Sequence, residues 1–164
     1  MENVVTITDF TLMTAGNVPI TLSNFTDRYV FLYFGYTFCP DVCPATLSEL
    51  AQVRRELGSM ADRVQVIMIT VDPDRDTPEV MQSYVNHFDP TFIGLSGSQA
   101  EIDAIGQTYG IYYEKHEGTA ATGYLIDHTA RVFLLSPDRN TLISYPFATP
   151  PADIVADLKW LLGN

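Results

Sequence analysis

The chain has 164 residues, 46% of them hydrophobic, and a mean hydropathy of +0.06, which suits one domain with a sizeable core spanning residues 1 to 164. Lys and Arg total 9 against 20 Asp and Glu, a formal charge of -11, so polyanionic DNA or RNA is repelled while cations and basic protein faces are favoured. No apolar run approaches the roughly 20 residues that cross a bilayer, and Met1-Glu2-Asn3 does not begin a basic and then apolar leader.

Taken in order, apolar runs alternate with helical patterns, the mark of an α/β domain. Val4 to Leu22 reads as an appended hairpin broken at Thr14-Ala15-Gly16-Asn17. Tyr29 to Phe34 is a continuous aromatic and aliphatic run, as expected for a central strand buried on both faces, and Gly35 ends it. After Cys39-Pro40-Asp41-Val42-Cys43-Pro44, the residues Leu47, Leu50, Ala51 and Leu57 recur at helical spacing until Gly58 stops the helix. A second buried strand is expected over Val64 to Val71. Thr77-Pro78-Glu79 then supplies an N-cap, a helix-starting proline and an acidic first turn, with Val80, Met81, Tyr84, Val85 and Phe88 facing inward.

Phe92 to Leu95 reads as a short strand, and Ser98-Gln99-Ala100-Glu101 as a capping box for a helix ending at Gly110. Glu114 to Gly123 is polar and small, the composition of an exposed loop, entered by Ile111-Tyr112-Tyr113 and left by Tyr124-Leu125-Ile126. Arg131 to Ser136 and Leu142 to Pro146 flank Pro137-Asp138-Arg139-Asn140 as a hairpin. A last helix, Pro151 to Leu162, docks through Ile154, Val155, Leu158, Leu161 and Leu162.

The two cysteines are separated by three residues, so a bond between them closes too short a loop to stabilise the fold much. Chemistry is the better reason for the pair. Residues four apart share one face of a helical turn, which brings both sulfurs toward one point. A helix N-terminus also lowers a cysteine pKa, and Cys43 stands there. Two soft sulfurs suit Cu(I) or Zn, and one added imidazole gives a set that copper uses in either oxidation state.

Three histidines could supply it. His87 reads as a solvated imidazole at a helix end, and His116, among Glu114, Lys115 and Glu117, as a surface loop residue. His128 lies between two apolar segments where the chain enters the sheet near the edge that carries the cysteines. A loop histidine hydrogen-bonded to Asp127 is the competing reading of His128.

Three stretches carry a family resemblance: Phe34-Gly35-Tyr36-Thr37-Phe38-Cys39-Pro40-Asp41-Val42-Cys43-Pro44, then Val71-Asp72-Pro73-Asp74-Arg75-Asp76-Thr77-Pro78, then Asp127-His128-Thr129. With them the chain resembles the SCO/SenC copper chaperones of cytochrome c oxidase assembly over about Phe10 to Leu162. The resemblance implies a thioredoxin-like fold, with a central mixed sheet flanked by helices and an N-terminal β-hairpin extension. It also implies copper, Cu(I) or Cu(II), held by Cys39, Cys43 and His128. The implied partner is oxidase subunit II or another copper-acceptor protein, whose dinuclear site receives the copper or whose cysteines are reduced for loading. The implied place is extracytoplasmic, the bacterial periplasm or the mitochondrial intermembrane space, with membrane association through an N-terminal helix that would precede residue 1. Asn140 departs from the glycine that the family often has in that turn; asparagine tolerates left-handed φ.

Other motifs fail on spacing. Asp72, Asp74 and Asp76 imitate an EF-hand, but Thr77 and Ser83 stand where the loop needs Gly and Glu, which rules out calcium. This acidic turn is expected to lead into the next helix, with Arg75 pairing locally. A peroxiredoxin needs Pro-x-x-x-Thr-x-x-Cys, whereas Thr37 is two residues before Cys39 and residue 32 is Leu. Dithiol oxidoreductases use two residues between their cysteines and a cis-proline beside them, where this chain offers His128. A redox-active Cys39 and Cys43 pair acting as a thiol-disulfide oxidoreductase stays as the alternative to an accessory protein that is not a turnover enzyme. Met60, Met68 and Met81 stand at core-like positions, and Tyr33, Phe34, Tyr36 and Phe38 are expected to pack the core and shield the site.

Overall fold

The computed structural model describes residues 9–39, 42–109, 111, 113–117, 125–128, 131–138 and 140–163. Thr11–Thr14 (β1) and Val18–Thr21 (β2) pair antiparallel across a tight turn in which Gly16 and Asn17 both take positive φ. This is the expected hairpin, although its first residues, from Val4, lie outside the described part. Backbone bonds between Met13 and Ser96 join it to the rest of the fold.

Tyr29–Gly35 forms β3, buried along nearly its whole length. It is followed by Val42–Leu57 (α1), Val64–Thr70 (β4), Pro78–Asn86 (α2), Ile93–Leu95 (β5) and Gln99–Tyr109 (α3). Gly58, at φ 58, ends α1 with a conformation that other residues adopt at a cost. Thr77 caps α2 by accepting the Val80 N–H at 3.2 Å. Ser98 and Glu101 exchange side-chain-to-backbone bonds of 3.1 and 3.0 Å, the expected capping box of α3. Gly110, read as its C-cap, lies outside the described residues.

Tyr113–His116 (β6) and Leu125–His128 (β7) then form a two-stranded antiparallel sheet. This corrects the expected loop over Glu114 to Gly123, since its first residues belong to a strand; 118–124 are outside the described part. Arg131–Leu135 (β8), Thr141–Pro146 (β9) and Pro151–Leu162 (α4) complete the chain. The tolerance of asparagine for left-handed φ is not used at Asn140, since positive φ among described non-glycine residues is confined to Asn17 and Ala148. Asn140 instead closes its turn by exchanging backbone and side-chain bonds with Ser136.

The main sheet runs β5-β4-β3-β8-β9, with β3, β4 and β5 parallel and β8 and β9 antiparallel. This mixed sheet between helices is the thioredoxin-like arrangement. Alternation along β3 divides the core, with Phe31 and Tyr33 packing among residues of α1, α2 and α4, and Val30, Leu32 and Phe34 among those of α3 and the hairpin. Each such fully buried large side chain contributes about 1.5–3 kcal/mol, so β3 is anchored on both faces. Its C-terminal end is therefore a rigid point from which the next loop departs.

Candidate metal centre

Gly35 ends β3, the residues Tyr36, Thr37 and Phe38 lead to Cys39, and α1 begins at Val42. Pro40 and Asp41 lie outside the described residues. Cys43 is in the first turn of α1, and its N–H donates to the Cys39 Sγ at 3.5 Å. The Cys39 N–H in turn donates to the Tyr36 carbonyl at 3.3 Å. Both cysteines are free thiols; Cys39 is half-buried, Cys43 is 0% exposed. The Tyr33 hydroxyl, one β-strand period before Gly35, donates to the Cys43 Sγ at 3.4 Å.

Burial pushes the Cys43 thiol well above its ordinary range, reinforced by the hydrogen bond and charge of Cys39; the Tyr33 hydroxyl and the Tyr36 backbone act against it. The expectation that the helix N-terminus lowers this pKa is thereby corrected, because desolvation of a fully enclosed sulfur outweighs the helix-end N–H groups. Burial, and then the Cys43 charge, also push the Tyr33 phenol up, so Tyr33 stays a proton donor to the sulfur.

The turn before α2 supports the cysteine loop. Asp76 is wholly buried and accepts from the Thr37 N–H at 3.0 Å, the Thr37 hydroxyl at 2.5 Å and the Thr70 hydroxyl at 2.7 Å. Arg75 donates through Nε to Asp72 at 2.5 Å, the expected local pair, and its guanidinium lies 4.3 Å from the Phe38 ring centre. Phe38 is 48% exposed, so unlike Tyr33, Phe34 and Tyr36 it does not pack into the core. Met68 and Met81 are buried and Met60 packs against the same cluster, as their spacing suggested.

His87 caps α2 at the surface, with Nδ1 2.7 Å from the Ser83 carbonyl oxygen, a helix-end role as expected. His116 is placed on β6 opposite Leu125, on a strand instead of a loop. His128 is the last residue of β7, opposite Tyr113 and three residues before Arg131. Val132 pairs with Tyr33, so β8 begins beside the C-terminal end of β3, the end from which the cysteine loop departs. Among the described side chains no His, Asp or Glu joins the cysteines in a group of three; the His128 side chain is outside that set.

Two converging sulfurs can lose their protons to a soft cation, or lose two electrons and two protons to become a disulfide. Residue patterns place Tyr33 as a core residue shielding the site and Gly35 as the strand end, but miss the bond from Tyr33 to Cys43, the close approach at Gly35 and the support from Asp76. A tyrosine two residues before the strand-ending glycine, and an Asp directly before a helix-capping Thr, were the available signals.

The SCO1/SenC family model matches residues 2–163. The chain belongs to the SCO1/SenC family. It is 38% identical over 132 residues to the mitochondrial SCO2 homolog of Mus musculus, covering 79% of this chain and 52% of that protein. It thus spans about half the length of that mitochondrial relative. The solution structure of apo Sco1 from Thermus thermophilus superposes with a TM-score of 0.86 at 40% identity, over 98% of this chain and 94% of that one. The crystal structure of Arabidopsis thaliana ScoI with copper bound gives 0.88 at 31% identity, over 98% and 100%. Among the described residues of this Sco chain no helix is long and apolar enough to cross a membrane.

Proposed function

We propose that the chain is a copper metallochaperone that binds one copper ion through Cys39, Cys43 and His128. It delivers the ion to the dinuclear copper site of cytochrome c oxidase subunit II or prepares the cysteines of that site. The observation that carries this reading is the approach of the Cys43 N–H to the Cys39 sulfur at 3.5 Å, which converges two soft donors in a chain similar to a copper-bound ScoI. Two thiolates are a sufficient hold for Cu(I), and an imidazole extends the set to Cu(II). The acidic surface, formally -11, favours a cationic or metal-bearing partner face and disfavours nucleic acid. The mitochondrial relatives support an extracytoplasmic location, and in this reading residues 1 to 164 act as one copper-binding domain.

The test is stoichiometry in both redox states. The reduced protein takes up one equivalent of Cu(I), and oxidation of the cysteine pair releases it because both thiolates are consumed. Undiminished Cu(I) affinity in the oxidised protein removes the pair from the metal site.

A second reading, thiol-disulfide reduction of a copper-acceptor protein, is favoured by the unequal exposure of the thiols. Half-buried Cys39 is reachable by a partner disulfide and enclosed Cys43 is placed to resolve the mixed disulfide. Catalytic turnover of a disulfide substrate without copper separates this reading from the first.

A further inference from the structure

A buried carboxylate is costly unless its lone pairs are filled, so the donors around Asp76 show what it holds in place. Two of the three belong to Thr37, two residues before Cys39, and reach both carboxylate oxygens. The third is the hydroxyl of Thr70, which lies beside Gly35 in the parallel register of β3 and β4. Asp76 is itself held through its main chain. Its N–H donates to the Asp72 carbonyl at 2.9 Å, and its own carbonyl accepts from the Ser96 hydroxyl at 2.6 Å. A second arm runs alongside, with the Arg75 guanidinium over the Phe38 ring. Successive residues of one turn therefore grip successive residues of the loop that ends in Cys39. Cys43 has a different support, the first turn of α1 and the Tyr33 hydroxyl.

We propose that Asp76 is a positioning residue that, through Thr37, presets Cys39 against Cys43 so that the two thiols act as one pair. This rests on the reading that Cys39 and Cys43 work together. Its consequence is thermodynamic, since a held partner reacts at a high effective concentration. In exchange with oxidised glutathione, the Cys39–Cys43 bond forms and the glutathione disulfide breaks. Two electrons pass to glutathione, and the two thiol protons end on the two glutathione thiols released. Freeing Thr37 lets the loop wander and shifts this equilibrium toward the protein dithiol.

The experiment equilibrates the full chain with glutathione buffers, free of copper, and reads the fraction of protein disulfide after acid quench and thiol alkylation. Thr37→Val keeps the main-chain N–H bond and removes the hydroxyl donor. Asp76→Asn replaces one acceptor oxygen with a donor. Each is expected to lower the equilibrium constant for disulfide formation about tenfold, equivalent to about 30 mV for a two-electron couple. Ser98→Ala, which removes the capping bond to the Glu101 N–H at the start of α3 and touches neither Asp76 nor the cysteine loop, is the control. It is expected to lower stability to urea and leave the equilibrium where it was. If Thr37→Val behaves as wild type, or Ser98→Ala shifts the equilibrium as far, the clamp is overturned; should Asp76→Asn not fold, Thr37→Val decides alone. A wild-type chain that forms no Cys39–Cys43 disulfide overturns the paired-thiol reading and the clamp with it, whereas a normal wild type with unshifted variants overturns the clamp only.

Discussion

A Cβ placed on Gly35 would stand 2.7 Å from the Cys43 sulfur, closer than real Cβ contacts come. The Tyr33 ring at 2.9 Å and the Met68 methyl at 3.0 Å close the other directions. The space a side chain would fill is thus the space that seats the buried thiol. Met68 is flexible and can yield, but Cys43 is fixed on α1 and Tyr33 is enclosed. Gly35→Ala is therefore expected to cost about 1–3 kcal/mol, the usual range for overpacking, and to weaken Cu(I) binding as the sulfur is displaced. Gly94→Ala is the comparison, because its Cβ would meet the Met81 carbonyl at 2.5 Å, away from the thiols. That variant should lose stability in urea melts and keep its Cu(I) affinity. Equal losses of affinity in the two would show that Gly35 serves the fold and nothing more.

The burial of Cys43 has a pH signature. In an unfolded chain a thiol ionises near about 8.5, while the folded protein holds the Cys43 proton to a higher pH. In that window the folded state binds more protons than the unfolded one, so stability falls as pH rises. The contribution is fully present below about 8.5 and is lost as the pH climbs toward the folded value. Burial also raises the phenols of Tyr33, Tyr84, Tyr109 and Tyr145, but unfolded tyrosines ionise only near about 10, so the earlier part of the slope belongs to the thiol. Urea midpoints of the reduced protein should drop between pH 8 and about pH 9.5. Cys43→Ala should flatten that drop, and Cu(I), which expels the proton on binding, should flatten it as well. A Cys43→Ala profile as steep as that of wild type would assign the slope to other groups.

The sequence made most of this architecture readable because the hydrophobic period and the caps agree. Thr77 and Ser98 cap the helices their spacing announced, and Gly58 ends α1. What stayed hidden was long-range pairing. The strand Tyr113–His116 is polar and short, and only its antiparallel partner Leu125–His128 makes it a strand. At the site, the spacing of Cys39 and Cys43 was legible, but the sign of the Cys43 pKa shift was not. Helix position is local information, whereas the enclosure that outweighs it comes from Tyr33, Gly35 and Met68 on other elements. The role of Asp76 is hidden for the same reason: Thr37, which bonds both of its carboxylate oxygens, lies 39 residues away in sequence.

The Tyr84 hydroxyl is buried without a hydrogen-bond partner among the described residues, and its phenol is pushed up by burial first and then by Cys43, Cys39 and Asp76. An enclosed, unsatisfied hydroxyl costs about 1–3 kcal/mol. Tyr84→Phe removes that cost and keeps the ring that packs edge-on against Phe88 at 5.5 Å. The reduced protein should thus be unchanged or more stable by about 1 kcal/mol in urea unfolding. A clear loss of stability would reveal a partner for this hydroxyl.

His128 separates the two leading functions. β7 carries it to the end of a two-stranded sheet, three residues before β8 begins beside the C-terminal end of β3. As a ligand, its imidazole matters most for Cu(II), which prefers nitrogen beside sulfur more than Cu(I) does. His128→Ala should therefore abolish or greatly weaken Cu(II) binding and remove its sulfur-to-copper charge-transfer colour, while two sulfurs still bind Cu(I) weakly. A dithiol reductase makes a different demand, because it needs only that Cys39 and Cys43 exchange electrons, and loss of an imidazole alters the rate through thiol ionisation alone. Cu(II) spectra and disulfide-reduction rates measured on the same variant give the decision. Colour lost with reduction retained supports the ligand role of His128, and undiminished copper colour in His128→Ala would remove it from the metal site and put the reductase reading first.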